Sequence, residues 1–368
     1  MPAIHTREPA LVLRAGAQAR QHLLDHGLRA DDVDIVPGAA GGPKAVGLAG
    51  LDRAVFGDFL PRAPRPRTLI GASIGSWRFA AVAGARDGRD AAHRLARLAD
   101  LYTSQRFPKG VTPREVSRRC EKMLADLLAD SDDRILTNPD YRLVVVVIRS
   151  RRLISGDRPL GLGLGLAGVI GGNLLSRRAL AAFMERGLAY TGEPQLPLEA
   201  LRDFATHAIP LDVQNLRALL LASAAIPMVL EGVRDIPGAP PGVYRDGGLL
   251  DYHLDLPYRS DGLVLYPHFT DRVIPGWFDK PLRWRNGDPG RLARTLLVAP
   301  SADYLARLPH GKLPDRTDFK RYQGDDPGRE RTWRRAIDES RRLGDEFLEL
   351  VEKGVGDRLL PLAGDRRR

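Results

Sequence analysis

An α/β fold on a mainly parallel sheet is what this chain predicts, and three features predict it. Two strand-like runs, Asp34-Ile35-Val36-Pro37 and Arg67-Thr68-Leu69-Ile70, each pass through a glycine-containing turn into a stretch with helical spacing of apolar residues. Strand, turn and helix in that order make the unit from which parallel sheets are built. The third feature is size: 368 residues at 43% hydrophobic composition can bury a large core, and α/β folds often use such a length as one domain. No internal repeat or low-complexity linker divides the chain.

Residues 1–32 are expected to add a helical lead-in, with the helix over about Ala15 to His26. The first strand then runs into Gly38-Ala39-Ala40-Gly41-Gly42-Pro43-Lys44, and helical spacing follows from Ala45 to Leu60. A small-residue loop entering a helix presents unpaired backbone N–H groups, which an acyl-transfer enzyme needs to hold a developing oxyanion. Gly41 and Gly42 are the best donors. A nucleotide-type phosphate loop is disfavoured, because Lys44 is followed by Ala45 and not by Ser or Thr. Lys44 reads either as a solvated lysine at a helix start or as a charge beside the oxyanion loop.

The second strand leads into Gly71-Ala72-Ser73-Ile74-Gly75, the G-x-S-x-G form of a nucleophile elbow, and Gly75 to Ala83 reads as the helix that follows. Gly71 and Gly75 let the backbone pass without Cβ clashes. A serine there also suits a helix N-cap, so the pattern alone leaves both roles open. Asp246-Gly247-Gly248 supplies a carboxylate after the strand-like Val243-Tyr244-Arg245, with Leu249-Leu250 as apolar cover. The Asp-Gly pair is also a common hairpin signal. As a base for a hydroxyl, an aspartate with an ordinary pKa of about 3.9 must be held in reach and made more basic by apolar surroundings. Gly247 and Gly248 permit that approach. His253 and His268, the latter after the strand-like Gly262 to Tyr266, allow the alternative of a Ser-His-Asp triad.

Four blocks in order resemble the patatin-like phospholipases: Gly41-Gly42-Pro43-Lys44, the elbow around Ser73, Ala222-Ser223-Ala224-Ala225-Ile226-Pro227, and Asp246-Gly247-Gly248. The resemblance covers roughly residues 33 to 268 and departs at Ala40 and Ala45, where the family usually has glycine. It implies a three-layer α/β/α fold, a Ser-Asp dyad without histidine, and hydrolysis of lipid carboxylic esters through an acyl-enzyme. By position it implies Ser73 as nucleophile, Asp246 as base and Gly41 and Gly42 as the oxyanion hole. Lys44, Gly71, Gly75, Gly247 and Gly248 then support them, and neither metal nor cofactor is called for. Residues 33–268 are thus the expected catalytic domain. Residues 269–368 are an expected extension on the same domain, with a strand at Thr295 to Ala299, a charged helix from about Arg329 to Lys353 and a disordered 364–368. An acyltransferase would use the same site, and a non-catalytic lipid-binding protein the same fold.

A net charge of +10, mostly from arginine, favours anionic partners. The arginines are mixed with acids, as in Arg329-Glu330-Arg331, and no nucleic-acid motif is present, so nucleic acid is not expected. The uncharged run Leu160 to Leu175 is too short and glycine-rich for a confident membrane span; it reads as a substrate-channel wall or cap, or as a buried strand and loop. Its Gly163 to Gly168 matches G-x-G-x-x-G without the preceding strand that a nucleotide site needs. Ile274 to Arg285 interleaves Trp277, Phe278 and Trp284 with cations, which suits either an anionic membrane surface or packing on the domain. Cys120 is the single cysteine, so no intramolecular disulfide forms. Met1 to Arg7 lacks the apolar core of a signal peptide, and a cytoplasmic protein with peripheral membrane contact is expected.

Overall fold

The computed structural model describes residues 8–362, so Met1 to Arg7 and the 364–368 segment expected to be disordered lie outside the described residues. Among the described residues one sheet contains eleven strands: β1 (Leu11–Ala15), β2 (Val33–Gly38), β3 (Arg67–Ala72), β4 (Tyr141–Ser150), β5 (Met184–Tyr190), β6 (Thr206–Pro210), β7 (Val233–Arg234), β8 (Val243–Asp246), β9 (Leu263–Pro267), β10 (Thr295–Pro300) and β11 (Leu359–Pro361). The helices are α1 (Ala17–His26), α2 (Ala49–Ala54), α3 (Ile74–Ala83), α4 (Gly88–Thr103), α5 (Pro113–Leu128), α6 (Asp132–Thr137), α7 (Pro159–Leu175), α8 (Leu216–Ser223), α9 (Ala302–Arg307), α10 (Thr317–Arg321), α11 (Asp326–Glu339) and α12 (Arg341–Lys353).

The strand order is β11-β1-β10-β9-β2-β3-β4-β5-β6, and the central five, β10-β9-β2-β3-β4, run parallel. β3, β9 and β10 are buried along their whole length, as strands covered on both faces must be. The result is the expected three-layer α/β/α arrangement. On β4, Val147 belongs to the main core while its neighbour Ile148 belongs to a smaller cluster with Leu162 and Val169 of α7, since successive strand side chains point to opposite faces. All of α3 is buried, including Arg78, whose Nε donates to Asp52 of α2 at 2.8 Å.

Register positions the site. β3 runs parallel to β4 and pairs Ala72 with Val146, while β8 runs antiparallel to β4 and pairs Asp246 with Val147. β5 occupies the other edge of β4. β3 and β8 therefore share one edge of β4, run toward each other, and meet at their C-terminal ends. Ser73 and Asp246 stand at that junction.

Several elements differ from expectation. The lead-in is not helical alone: β1 pairs with β10 and β11, so the alternation Leu11, Leu13, Ala15 is a half-buried strand preceding α1. Ala45 to Leu60 is not one helix but a 3₁₀ turn, α2, a π turn and a second 3₁₀ turn. The charged C-terminal helix is two, α11 and α12, divided at buried Ser340, whose Oγ accepts from the Gly50 N–H at 2.9 Å. Leu160 to Leu175 forms helix α7, neither a strand nor a loop. Pro159 starts it, Leu162, Gly165, Val169 and Asn173 make its buried stripe, and a Cβ at Gly165 would come within 2.8 Å of Ile154.

Candidate active site

Ser73 occupies a sharp turn between β3 and α3 with φ 56° and ψ −130°, a left-handed conformation costly for any residue with a Cβ. Two glycines make the turn possible. A Cβ on Gly71 would lie 2.5 Å from the Ser76 nitrogen, and one on Gly75 would lie 2.0 Å from the Gly38 carbonyl oxygen at the end of β2. The turn is also tied down. The Ser73 N–H donates to Ser223 Oγ at 2.9 Å, and Ser223 Oγ donates to the Val146 carbonyl of β4 at 2.7 Å. Ser76 Oγ donates to the Ser73 carbonyl at 2.6 Å. Ser223 ends α8 within the Ala222–Pro227 block, so that block buttresses the elbow. Sequence alone does not disclose this positioning role, because it depends on where α8 lies against β4.

Ser73 Oγ donates to Asp246 Oδ2 at 2.8 Å. The other carboxylate oxygen accepts the Gly248 N–H at 2.7 Å, and the Asp246 N–H donates to the Ala225 carbonyl at 3.1 Å. Close packing explains both following glycines: a Cβ on Gly247 would sit 2.2 Å from the Val146 carbonyl oxygen, and one on Gly248 would sit 2.4 Å from Ala40 Cβ. Asp246 is buried, and that burial pushes its carboxyl up to about 6 against the opposing pull of the Ser73 hydrogen bond, Arg316 and the Gly248 N–H. An aspartate so tuned is ionised at neutral pH and far more basic than in water.

Two cavities meet around this pair. One, of about 180 Å³, is lined by Gly41, Lys44, Asp246, Trp277, Lys280 and Arg316. The other, of about 330 Å³, is mostly apolar and is lined by Gly42, Ser73, Phe107, Met123, Leu230 and Phe319. Gly42 opens the 3₁₀ turn after β2 at φ 56°, and the first N–H groups of such a turn have no intrahelical acceptor. A Cβ on Gly41 would come within 2.6 Å of the Phe269 ring, so glycine keeps this wall thin. Lys44 Nζ stands 4.5 Å over that ring, and burial, with Lys280 nearby, lowers its ammonium to about 8. Arg316 lines both cavities and Lys280 the first; Lys280 belongs to the aromatic and cationic 274–285 run, whose place at the cavity the sequence does not disclose, and no motif singles out Arg316.

The histidines lie elsewhere. His253 Nδ1 has the Ile274 N–H and the Arg272 carbonyl as partners at 3.0 and 3.1 Å, and His268 Nδ1 accepts the Thr270 N–H at 3.0 Å. Their rings pack against each other with centroids 4.3 Å apart, and neither Nε2 has a hydrogen-bond partner among the described residues. Among the described residues, no cluster of three or more His, Cys, Asp or Glu side chains is arranged to hold a metal ion.

No family model and no curated protein matches this sequence. A solved structure similar to the chain is the human GIVD cytosolic phospholipase A2, at 11% identity and a TM-score of 0.36, covering 94% of this chain and 66% of that one. The chain thus spans just under two thirds of that protein's length. At this level the likeness carries no argument about chemistry, which rests on the site itself.

Proposed function

We propose that the chain is a serine hydrolase of lipid carboxylic esters working through a Ser73–Asp246 dyad. The observation that carries the reading is the 2.8 Å hydrogen bond from Ser73 Oγ to a buried carboxylate, at a strained elbow where an apolar and a cationic cavity meet. Ser73 Oγ attacks the ester carbonyl carbon while Asp246 Oδ2 takes its proton. The oxyanion of the tetrahedral intermediate is held by the Gly41 and Gly42 N–H groups, with the N-terminus of α3 adding a favourable dipole at Ser73. Collapse expels the alcohol, which receives the proton from Asp246, and water then attacks the acyl-Ser73 ester with the same carboxylate as base.

The two cavities sort the substrate. The apolar one suits an acyl chain. Lys44, Lys280 and Arg316 form no ion pair among the described residues, the Asp315 carboxylate in the same lining is held by Lys312 at 2.9 Å, and the three cations suit an anionic group on the alcohol side of the ester, as in a phospholipid. The test is labelling by a fluorophosphonate, together with turnover of activated acyl esters of graded chain length, with Ser73→Ala as the blank. Covalent modification confined to Ser73 and turnover that rises with chain length are expected. A folded wild-type protein that is neither labelled nor active would make this a lipid-binding protein with an idle site.

A further inference from the structure

Helix α7 carries an exposed face that the fold leaves uncovered. Pro159 to Leu175 contains no charged residue, and one side of the helix packs on the protein through Leu162, Gly165, Val169 and Asn173. Leu160, Leu164, Ile170, Leu174 and Leu175 are exposed, Leu160 at 79% and Leu175 at 89%. Residues 160, 164, 167, 171 and 174 recur at steps of three and four, so they form one stripe along a helix of about 25 Å. A helix that is apolar all round belongs in a core or in lipid, and only half of this one is in a core. Among the described residues no helix is long and apolar enough to cross a membrane, α7 included.

The charges around this stripe indicate what covers it. Arg152 and Arg158 precede the helix and Arg178 follows it; all three are exposed and form no ion pair among the described residues. The neighbouring carboxylates are already paired: Asp157 with Arg234 and Arg245, Glu185 with Arg149 and Arg151, and Asp279 with Arg177 and Arg285. An apolar stripe bracketed by such arginines complements an anionic lipid surface, with acyl chains under the stripe and phosphates at both ends. A second copy seated face to face would bring arginine clusters of like charge together.

The buried side of α7 is hydrogen-bonded to the segment that lines the cavity mouth. Asn173 Nδ2 donates to Asp279 Oδ1 at 2.8 Å, and Arg285 Nη1 donates to Asn173 Oδ1 at 2.9 Å. Between those partners stand Lys280, exposed Arg283 and Trp284, which is 66% exposed, while Trp277 and Lys280 line the cavity that holds Asp246. The geometry points to α7, with the Trp277–Trp284 segment, as a monolayer-docking face for anionic bilayers that sets the cavity mouth at the lipid surface. Docking of this kind does not depend on turnover.

Flotation of the full chain with vesicles tests it, comparing phosphatidylcholine alone with phosphatidylcholine containing phosphatidylglycerol. Two double variants are compared with wild type: Leu164→Glu with Leu175→Glu, and Arg158→Glu with Arg178→Glu. All four positions are exposed, so both variants should fold. Wild type should float with the anionic vesicles and be released by salt, and each variant should partition about tenfold more weakly or worse while hydrolysing a soluble short-chain ester at the wild-type rate. Ser73→Ala should float like wild type. Flotation by a protein that hydrolyses no ester would keep the docking face and remove the hydrolase reading. The inference is overturned if wild type ignores anionic vesicles, if both variants float as well as wild type, or if light scattering shows a dimer that the leucine variant dissolves.

Discussion

Two buried polar pairs stand near the C-terminal ends of strands, Ser73 with Asp246 at the β3–β8 junction and His253 with His268 at β9, two places from β3 in the sheet, and burial acts on them in opposite ways. Burial disfavours whichever form is charged. It raises the Asp246 carboxyl to about 6, making it a better base, and it lowers His268 to about 3 and His253 well below its ordinary value, making both imidazoles poor ones. Access separates the pairs as well. Asp246 and Ser73 line cavities, whereas the histidines lie between Tyr252, Tyr266 and Phe269 with their Nδ1 atoms bound to backbone. Apolar surroundings thus raise basicity only where the deprotonated form is the charged one, as in Asp246, whose carboxylate also shares a hydrogen bond with the Ser73 hydroxyl.

The strongest way to break this contrast is Asp246→Asn, which keeps the shape and removes the base. A fall in kcat of about 10³-fold or more is expected with an activated ester, beside full retention of the fold. Stability should move the other way. Because the folded carboxyl titrates at about 6, above the unfolded value of about 3.8, the stability it offers is complete below pH 4 and lost as pH rises through 6. At pH 8 the asparagine variant should therefore match or exceed wild type, by about 1–3 kcal/mol, with the gap closing by pH 4. Denaturant melts at the two pH values measure this. A variant that is both active and less stable at pH 8 would remove Asp246 from the dyad.

How much of this contrast is legible in the sequence follows from the range of the constraints. Gly71 is demanded by a contact inside its own turn, and Gly75, Gly247 and Gly248, whose contacts are with Gly38, Val146 and Ala40, still flank Ser73 and Asp246 at short fixed spacings, so both turns are marked in the sequence itself. The parallel sheet is legible for the same reason, since β2 and β3 each feed a glycine turn and a helical segment. Long-range packing is not legible. Arg316 and Lys280 reach the cavity from far along the chain, and Ser223 holds the elbow only because α8 lies beside β4. The break of the 42–62 segment and of the C-terminal helix coincides with one tertiary contact, Gly50 against Ser340, where a Cβ on Gly50 would come within 2.0 Å of the Ser340 carbonyl. Helix α7 escapes a reading by propensity, because glycine counts against a helix while packing on Ile154 and Phe183 decides its shape.

A smaller effect sharpens the comparison through pH. With a neutral soluble ester, kcat/KM should fall about tenfold per unit below pH 6 as Asp246 is protonated, and should be flat from about 7 upward. An anionic ester should show a second, alkaline limb near pH 8, because Lys44 loses its charge there. Steady-state profiles for the two substrates separate the limbs. An acid limb near 3 or its absence would deny Asp246 the role of base, and an alkaline limb common to both esters would deny Lys44 a part in recognising the anion.

The histidine pair should give the smallest effect on rate. His253→Ala and His268→Ala each remove a ring from a packed aromatic cluster, so they should lower stability by about 2–4 kcal/mol at pH 8 through the cavity left behind, yet keep kcat within about threefold. Their pH dependence carries the opposite sign to that of Asp246. A histidine held neutral in the fold and charged in the unfolded chain supports stability above its unfolded value of about 6.5, and that support is lost progressively as pH falls from 6.5 toward 3. The penalty of each alanine variant should therefore shrink between pH 7 and pH 4, as the wild type loses what the variant never had. If His268→Ala instead abolished turnover with the melt unchanged, an imidazole would belong in the reaction and the Ser73–Asp246 pair would be part of a triad.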